Sequence, residues 1–162
     1  MRTITPAPVR KSVKVEAPPE LAFEVFTARF GLWWPRSHHI GAADPETFII
    51  EPRAGGRWFE RGVDGSECDV GKVLVFEPPT RLVLIWQLGA DFKFDPELIT
   101  EVEVRFIAEG ADATRVELEH RNLERFGDRA DAMRSQIDAP NGWGGILDLF
   151  AEFVKQSEGA KP

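Results

Sequence analysis

The feature that most constrains this chain is the run 140–156, in which Trp143, Ile146, Leu147, Phe150, Ala151 and Val154 recur at i, i+3, i+4, i+7, i+8 and i+11. That spacing puts all six on one face of an α-helix and leaves Asp148, Glu152 and Lys155 off it. At about 1.5 Å per residue the run makes a rod of roughly 25 Å, long enough to cross a small sheet. A helix of that length is not secure alone in water, so its apolar face needs a partner surface. The residues before it read as the strands of that surface.

Val9, Val13 and Val15 alternate with Arg10, Ser12, Lys14 and Glu16, only Lys11 breaking the pattern, as in a half-buried strand. Ala17-Pro18-Pro19 ends it, and Leu21, Val25, Phe26 and Phe30 then follow at helical spacing. A helix is expected over 19–28 and a second helical turn over 30–34. The turn must end before Pro35, because the residue preceding proline is pushed out of the α region. Six β-rich runs follow, at 47–51, 57–61, 69–77, 81–88, 99–108 and 114–121, separated by turns and loops rich in Gly, Pro or Asp. In the last two, Val102, Val104 and Phe106 oppose Glu101, Glu103 and Arg105, while Val116, Leu118 and His120 oppose Glu117, Glu119 and Arg121. One wet face per strand is the mark of an antiparallel sheet covered on one side. Ala130, Met133 and Ile137 mark a further short helix before Pro140.

The expected fold is α+β, a curved antiparallel sheet of about seven strands wrapped around the long C-terminal helix, with two short helices after the first strand. It occupies residues 9–156 as a single domain, with an extended lead-in at 1–8 and a polar tail at 157–162. At 162 residues and 43% hydrophobic, the chain has enough apolar material for one core without disulfides. Its one cysteine, Cys68, cannot form an intramolecular disulfide. The net charge of −7, with scattered basic residues, argues against nucleic acid and anionic membrane as partners. No apolar run approaches a membrane span, and the first residues lack the apolar core of a signal peptide. A cytoplasmic protein is expected.

The order strand, two helices, six strands, helix resembles the START-like, helix-grip superfamily, also called SRPBCC. Several motifs are similar to its branch named after the activator of heat-shock protein 90 ATPase. They are Ala17-Pro18-Pro19-Glu20-Leu21-Ala22-Phe23, Trp33-Trp34-Pro35, Pro52-Arg53-Ala54-Gly55-Gly56-Arg57-Trp58, the stretch from Gly71 through Glu77-Pro78-Pro79 to Trp86, and Asn141-Gly142-Trp143. The resemblance spans residues 9–154. Its eukaryotic namesake uses an additional N-terminal domain for which this length leaves no room, so the resemblance implies a fold and not a co-chaperone. Small single-domain relatives imply an apolar molecule bound between sheet and helix, and a minority of the superfamily implies catalysis there.

Candidate cavity-lining residues are Trp33, Trp34, Trp58, Glu60, Trp86, His120, Met133, Trp143, Leu147 and Phe150. Five tryptophans exceed what a core of this size needs, and an indole wall combines a large apolar face with one donor. His120 should face the long helix, either as a ligand-binding or basic imidazole or as a satisfied structural histidine. Glu60 shares a strand face with Trp58, so it is buried in the cavity if Trp58 is, and merely solvated if not. Glu51, Arg53 and Arg57 are the other polar groups near these strands. Gly142, Gly144 and Gly145 either form the first helical turn and its approach or keep side chains out of ligand space. His38 and His39 fit a cavity mouth; no ligand cluster with zinc spacing accompanies them, so no metal and no cofactor is expected. The leading reading is a protein that binds a small apolar molecule. An enzyme using His120 or Glu60 as acid or base, and a module with a protein partner, are the alternatives, with a homodimer left open.

Overall fold

Period-two alternation builds the sheet, and its outcome is visible in β7 (Thr114–Arg121), where every second residue from Thr114 to His120 is buried. The structure is a computed structural model that describes residues 7–89 and 91–159. In chain order the elements are β1 (Val9–Val15), α1 (Pro19–Thr27), α2 (Phe30–Trp33), β2 (Pro45–Ile50), β3 (Arg57–Gly62), β4 (Glu67–Glu77), β5 (Arg81–Trp86), β6 (Thr100–Ala108), β7, a 3₁₀ segment (Leu123–Arg129), α3 (Ala130–Asp138) and α4 (Trp143–Gly159). The seven strands form one antiparallel sheet in the order β1-β7-β6-β5-β4-β3-β2. This is the helix-grip arrangement expected from the sequence.

β4 bends the sheet. Its register slips by one residue against β3 between Trp58 and Phe59, and against β5 between Val73 and Val75, leaving Val70 and Leu74 as extra residues. Such bulges increase local twist and curl a strand. Trp58 on β3 and Trp86 on β5 face the side that α4 covers, where both are buried.

α4 packs its apolar stripe inward: Trp143, Ile146, Leu147, Phe150 and Val154 are all buried. The Phe150 ring sits 5.2 Å from Phe26 and 5.1 Å from Trp33. Gly142 and Gly145 are explained by the chain's own backbone, since a β-carbon on either would run into the carbonyl of Ile137 or of Pro140. The tight approach from α3 into α4 therefore accounts for these two. Gly144 has open space near Lys11.

Several boundaries differ from expectation by one to three residues; β2 and β4, for example, begin two residues early, at Pro45 and Glu67. β5 ends at Trp86 rather than at residue 88, after which Leu88 makes an isolated bridge to Phe94. The short helix before Pro140 begins at Ala130, as its apolar set implies, with Gly127 at φ 65° breaking the 3₁₀ segment that precedes it. α4 continues to Gly159, into the stretch read as a tail. The rest of that tail, 160–162, and residues 1–6 of the expected lead-in lie outside the described residues. Among the described residues no helix is long and apolar enough to cross a membrane.

The outer sheet face carries a charge ladder centred on Glu103, whose carboxylate accepts from Arg81 (2.7 Å), Arg105 (2.9 Å) and Arg121 (2.6 Å). Burial alone would raise its pKa; the hydrogen bonds from Arg81, Arg121 and Arg105 outweigh it and hold the group at about 2.

Candidate functional site

Four indoles from four parts of the chain converge at one end of the concave face. Trp34 follows α2, Trp58 lies on β3, Trp86 ends β5 and Trp143 begins α4. Their ring centroids form a closed circuit: 6.5 Å from Trp34 to Trp58, 5.7 Å on to Trp86, 5.9 Å on to Trp143 and 5.9 Å back to Trp34. Every contact is edge to face, the arrangement aromatic quadrupoles favour, so the four make a stiff apolar surface. Above it lies a half-enclosed cleft of about 380 Å³, whose walls add Phe48, Val70, Leu88, Phe92, Ile137 and Ile146.

Hydrogen bonds hold the indoles in place. Trp86 donates to the Leu88 carbonyl (3.0 Å), Trp34 to that of His38 (3.4 Å) and Trp143 to Nδ1 of His120 (3.1 Å). Among the described residues no protein group accepts from the Trp58 N–H, and Trp58 is on the cleft wall.

Behind Trp86 and Trp143 sits His120, fully buried. Because the Trp143 indole can only donate, His120 Nδ1 is the acceptor and Nε2 carries the proton, donating to Thr100 Oγ1 at 2.9 Å. Thr100 in turn donates to the Trp86 carbonyl at 3.1 Å. Burial pushes the His120 pKa down to about 3, so the ring is neutral. Both nitrogens are engaged and the ring is not on the cleft wall, which removes His120 as the acid or base of this cleft. Its role is to tie two of the indoles together.

Glu60 does reach the cleft, and it is only 2% exposed. Its Oε1 accepts the Ile40 N–H at 2.6 Å and its Oε2 the Gly41 N–H at 2.9 Å, which clasps the loop after α2 onto β3. That loop puts His38 and His39 on the cleft rim. His38 Nε2 lies 2.9 Å from the Asn141 carbonyl and its Nδ1 3.1 Å from the Ser37 hydroxyl; His39 Nδ1 lies 3.0 Å from the Gly41 carbonyl. Across β3 the Cys68 thiol is pushed up in pKa by burial and then by the Glu60 charge, so it stays protonated.

Of the ten cavity candidates, Trp34, Trp58, Glu60, Trp86 and Trp143 surround the cleft. Trp33, His120, Met133, Leu147 and Phe150 are buried in the core and do not line it. The cleft opens at the beginning of α4 instead of running along it, so the later helix positions pack against Phe26 and Trp33. Glu51, Arg53 and Arg57 are also off the wall: Glu51 accepts the Arg57 N–H and pairs with Arg53, while the Arg57 guanidinium lies 4.0 Å over Phe59 and pairs with Asp69. Sequence reasoning missed Phe48, Val70, Leu88 and Phe92, and read Ile137 and Ile146 only as helix-face positions. Phe48 stands opposite Glu60 in the β2–β3 register, a pairing the sequence signals only through its turn. Val70 arrives through the β4 bulge, and Leu88 and Phe92 sit after β5 where no periodicity points inward. Among the described residues no group of three or more His, Cys, Asp or Glu is placed to hold a metal ion.

A profile of the family described as "Activator of Hsp90 ATPase homolog 1-like protein" matches residues 16–155. Among solved structures the chain is similar to an anthrahydroquino-γ-pyrone synthase, Txn09, solved in complex with a ligand denoted SUM. The two are 39% identical, the TM-score is 0.64, and the match covers 91% of this chain and 97% of that one. It is also similar to CalC, a self-sacrificing resistance protein from Micromonospora echinospora, at 33% identity and TM-score 0.72, covering 96% and 98%. An AHSA1-like protein from Aeromonas hydrophila, at 19% identity, TM-score 0.57 and coverage of 93% and 94%, shares the fold. No curated protein sequence matches the chain.

Proposed function

Because this chain belongs to the family of Activator of Hsp90 ATPase homolog 1-like proteins, on the START-like helix-grip fold, we propose that it is a small-molecule binding protein whose cleft takes a flat aromatic ligand. The observation that carries the reading is the closed circuit of Trp34, Trp58, Trp86 and Trp143 under a half-enclosed cleft of about 380 Å³. Ligand sites of this size are walled mainly by apolar and aromatic side chains with a few placed polar groups, here Glu60 and the two rim histidines. A polycyclic aromatic stacks on such a surface at little entropic cost, because neither it nor the interlocked indoles have rotamers to lose. The likeness to a protein described as an anthrahydroquino-γ-pyrone synthase supports the same ligand class, a fused aromatic bearing oxygens. The reading includes a cytoplasmic setting, in which the lone Cys68 remains a thiol.

Isothermal titration calorimetry with 2-hydroxyanthraquinone tests it. Saturable binding to one site is expected, weakened about tenfold by Trp58→Leu, since one aromatic wall is worth on the order of 1 to 2 kcal/mol. Leu149→Ala, at a residue 48% exposed on α4, should leave it unchanged. Heats that never saturate, or equal affinity in the Trp58 variant, would contradict the reading and favour the module with a protein partner.

A further inference from the structure

The cleft has a histidine with a nitrogen to spare. We propose that His39 is its proton acceptor, its Nε2 taking the proton of an acidic hydroxyl on the bound aromatic while Glu60 acts as the positioning residue for the loop that carries it. The proposal rests on the reading of the cleft as the ligand site.

Three histidines are present, and hydrogen-bond chemistry sorts them. His120 is closed in behind Trp86 and Trp143 with both nitrogens engaged. His38 faces the Asn141 carbonyl through Nε2; a carbonyl only accepts, so Nε2 bears the proton and Nδ1 accepts from the Ser37 hydroxyl. For His39 the same logic gives the opposite tautomer. Its Nδ1 faces the Gly41 carbonyl at 3.0 Å, so Nδ1 bears the proton and the lone pair of the neutral ring is on Nε2. Among the described residues nothing donates to that atom, and His39 is on the cleft rim. Donation from Nδ1 to a carbonyl fixes the ring's orientation and leaves Nε2 as the acceptor.

The fixing extends one step further. The Gly41 residue whose carbonyl holds His39 is itself held by its N–H to Glu60 Oε2, and Ile40 is held by Glu60 Oε1. A carboxylate 2% exposed, on a rigid strand, thus sets three consecutive loop residues. Gly41 is required for this: a β-carbon there would lie 2.9 Å from Glu60 Oε2 and 3.3 Å from Cys68 Sγ. The step itself is a proton transfer. The ligand O–H bond breaks, its electron pair stays on oxygen, and an N–H bond forms at Nε2. No oxidant, reductant or further reactant enters.

The test uses 2-hydroxyanthraquinone, whose phenolate absorbs at longer wavelength than its phenol, in buffer where the free dye is the phenol. Tryptophan emission reports binding and dye absorbance reports ionisation in the same cuvette. Wild type should quench saturably and give the red-shifted phenolate band, while 2-methoxyanthraquinone quenches without it. His39→Asn retains a donor toward Gly41 and should quench with loss of the band; His39→Gln should do the same, since an amide accepts a hydrogen bond but not a proton. Glu60→Gln should weaken the band more than the quenching. A phenolate band in His39→Asn equal to wild type, or saturable quenching by wild type with the dye still a phenol, would overturn the proposal and leave the cleft reading standing. No saturable quenching in wild type would overturn both.

Discussion

His120 and Glu60 are both buried and polar, and they illustrate why burial alone does not mark chemistry. Every polar atom of the His120 ring has a partner inside the protein, so removing the ring leaves the Trp143 N–H without its acceptor and a void between two indoles. His120→Ala should therefore lower stability in urea by on the order of 3 kcal/mol. The pH dependence has a definite sign. The folded ring stays neutral down to about 3 because it is buried, whereas the unfolded one takes up a proton at its ordinary 6.5. This contribution is complete above pH 6.5 and is lost as pH falls toward 3. His120→Gln should flatten the stability profile between pH 6.5 and 4.5, the part of that window above the ordinary carboxylate range. An unchanged slope there would show that the ring is protonated in the fold. Strand parity read from the sequence turned His120 inward correctly. It carried no sign that Trp86 and Trp143 would stand between the ring and the cleft, since that depends on packing across elements far apart in the chain.

Among the elements, α4 was the most legible, because a 3.6-residue period over four turns cannot be mistaken for a strand. Phe150 is fully buried between Phe26 and Trp33, so Phe150→Ala should cost about 3 to 5 kcal/mol in urea unfolding, and a change within about 0.5 kcal/mol would show that the helix does not grip there. The strands were legible for the same reason, with a period of two. Loops carry no period, and the loop holding His38, His39 and Ile40 is fixed by a hydrogen-bond clasp from Glu60, twenty residues away, that no local pattern encodes. Of the cleft wall, Trp34, Trp58, Glu60, Trp86 and Trp143 could be read from the chain, because each belongs to a motif or to a periodic element. His38 and His39 could be placed at the mouth but not oriented, and Phe48, Val70, Leu88 and Phe92, which depend on cross-strand register, a bulge or an aperiodic loop, could not be read.

At the scale of the whole molecule the two sheet faces divide the work: the inner face meets α4 and the cleft, the outer face carries the arginine–glutamate ladder. Glu103 is held at about 2 against its ordinary 4.5, so its contribution is present above pH 4.5 and lost as pH falls through about 2. Glu103→Gln should lower stability at neutral pH by on the order of 2 kcal/mol, allowing for solvent around the arginines, and should flatten the acid limb below pH 4.5 without touching ligand affinity. Equal acid sensitivity in variant and wild type would place the weakness elsewhere. The central claim is that the four-indole surface is where a flat aromatic binds, and the fifth tryptophan provides a built-in control. Trp33 donates its N–H to the Val25 carbonyl at 3.0 Å inside the core and is off the cleft wall. In ¹⁵N-labelled protein each of the five indole N–H groups gives its own NMR signal, and 2-hydroxyanthraquinone can be titrated against all of them at once. Saturable shifts are expected for Trp34, Trp58, Trp86 and Trp143, largest at Trp58, with Trp33 moving least. Absence of saturable shifts at those four, or a Trp33 signal that moves most, would contradict the account.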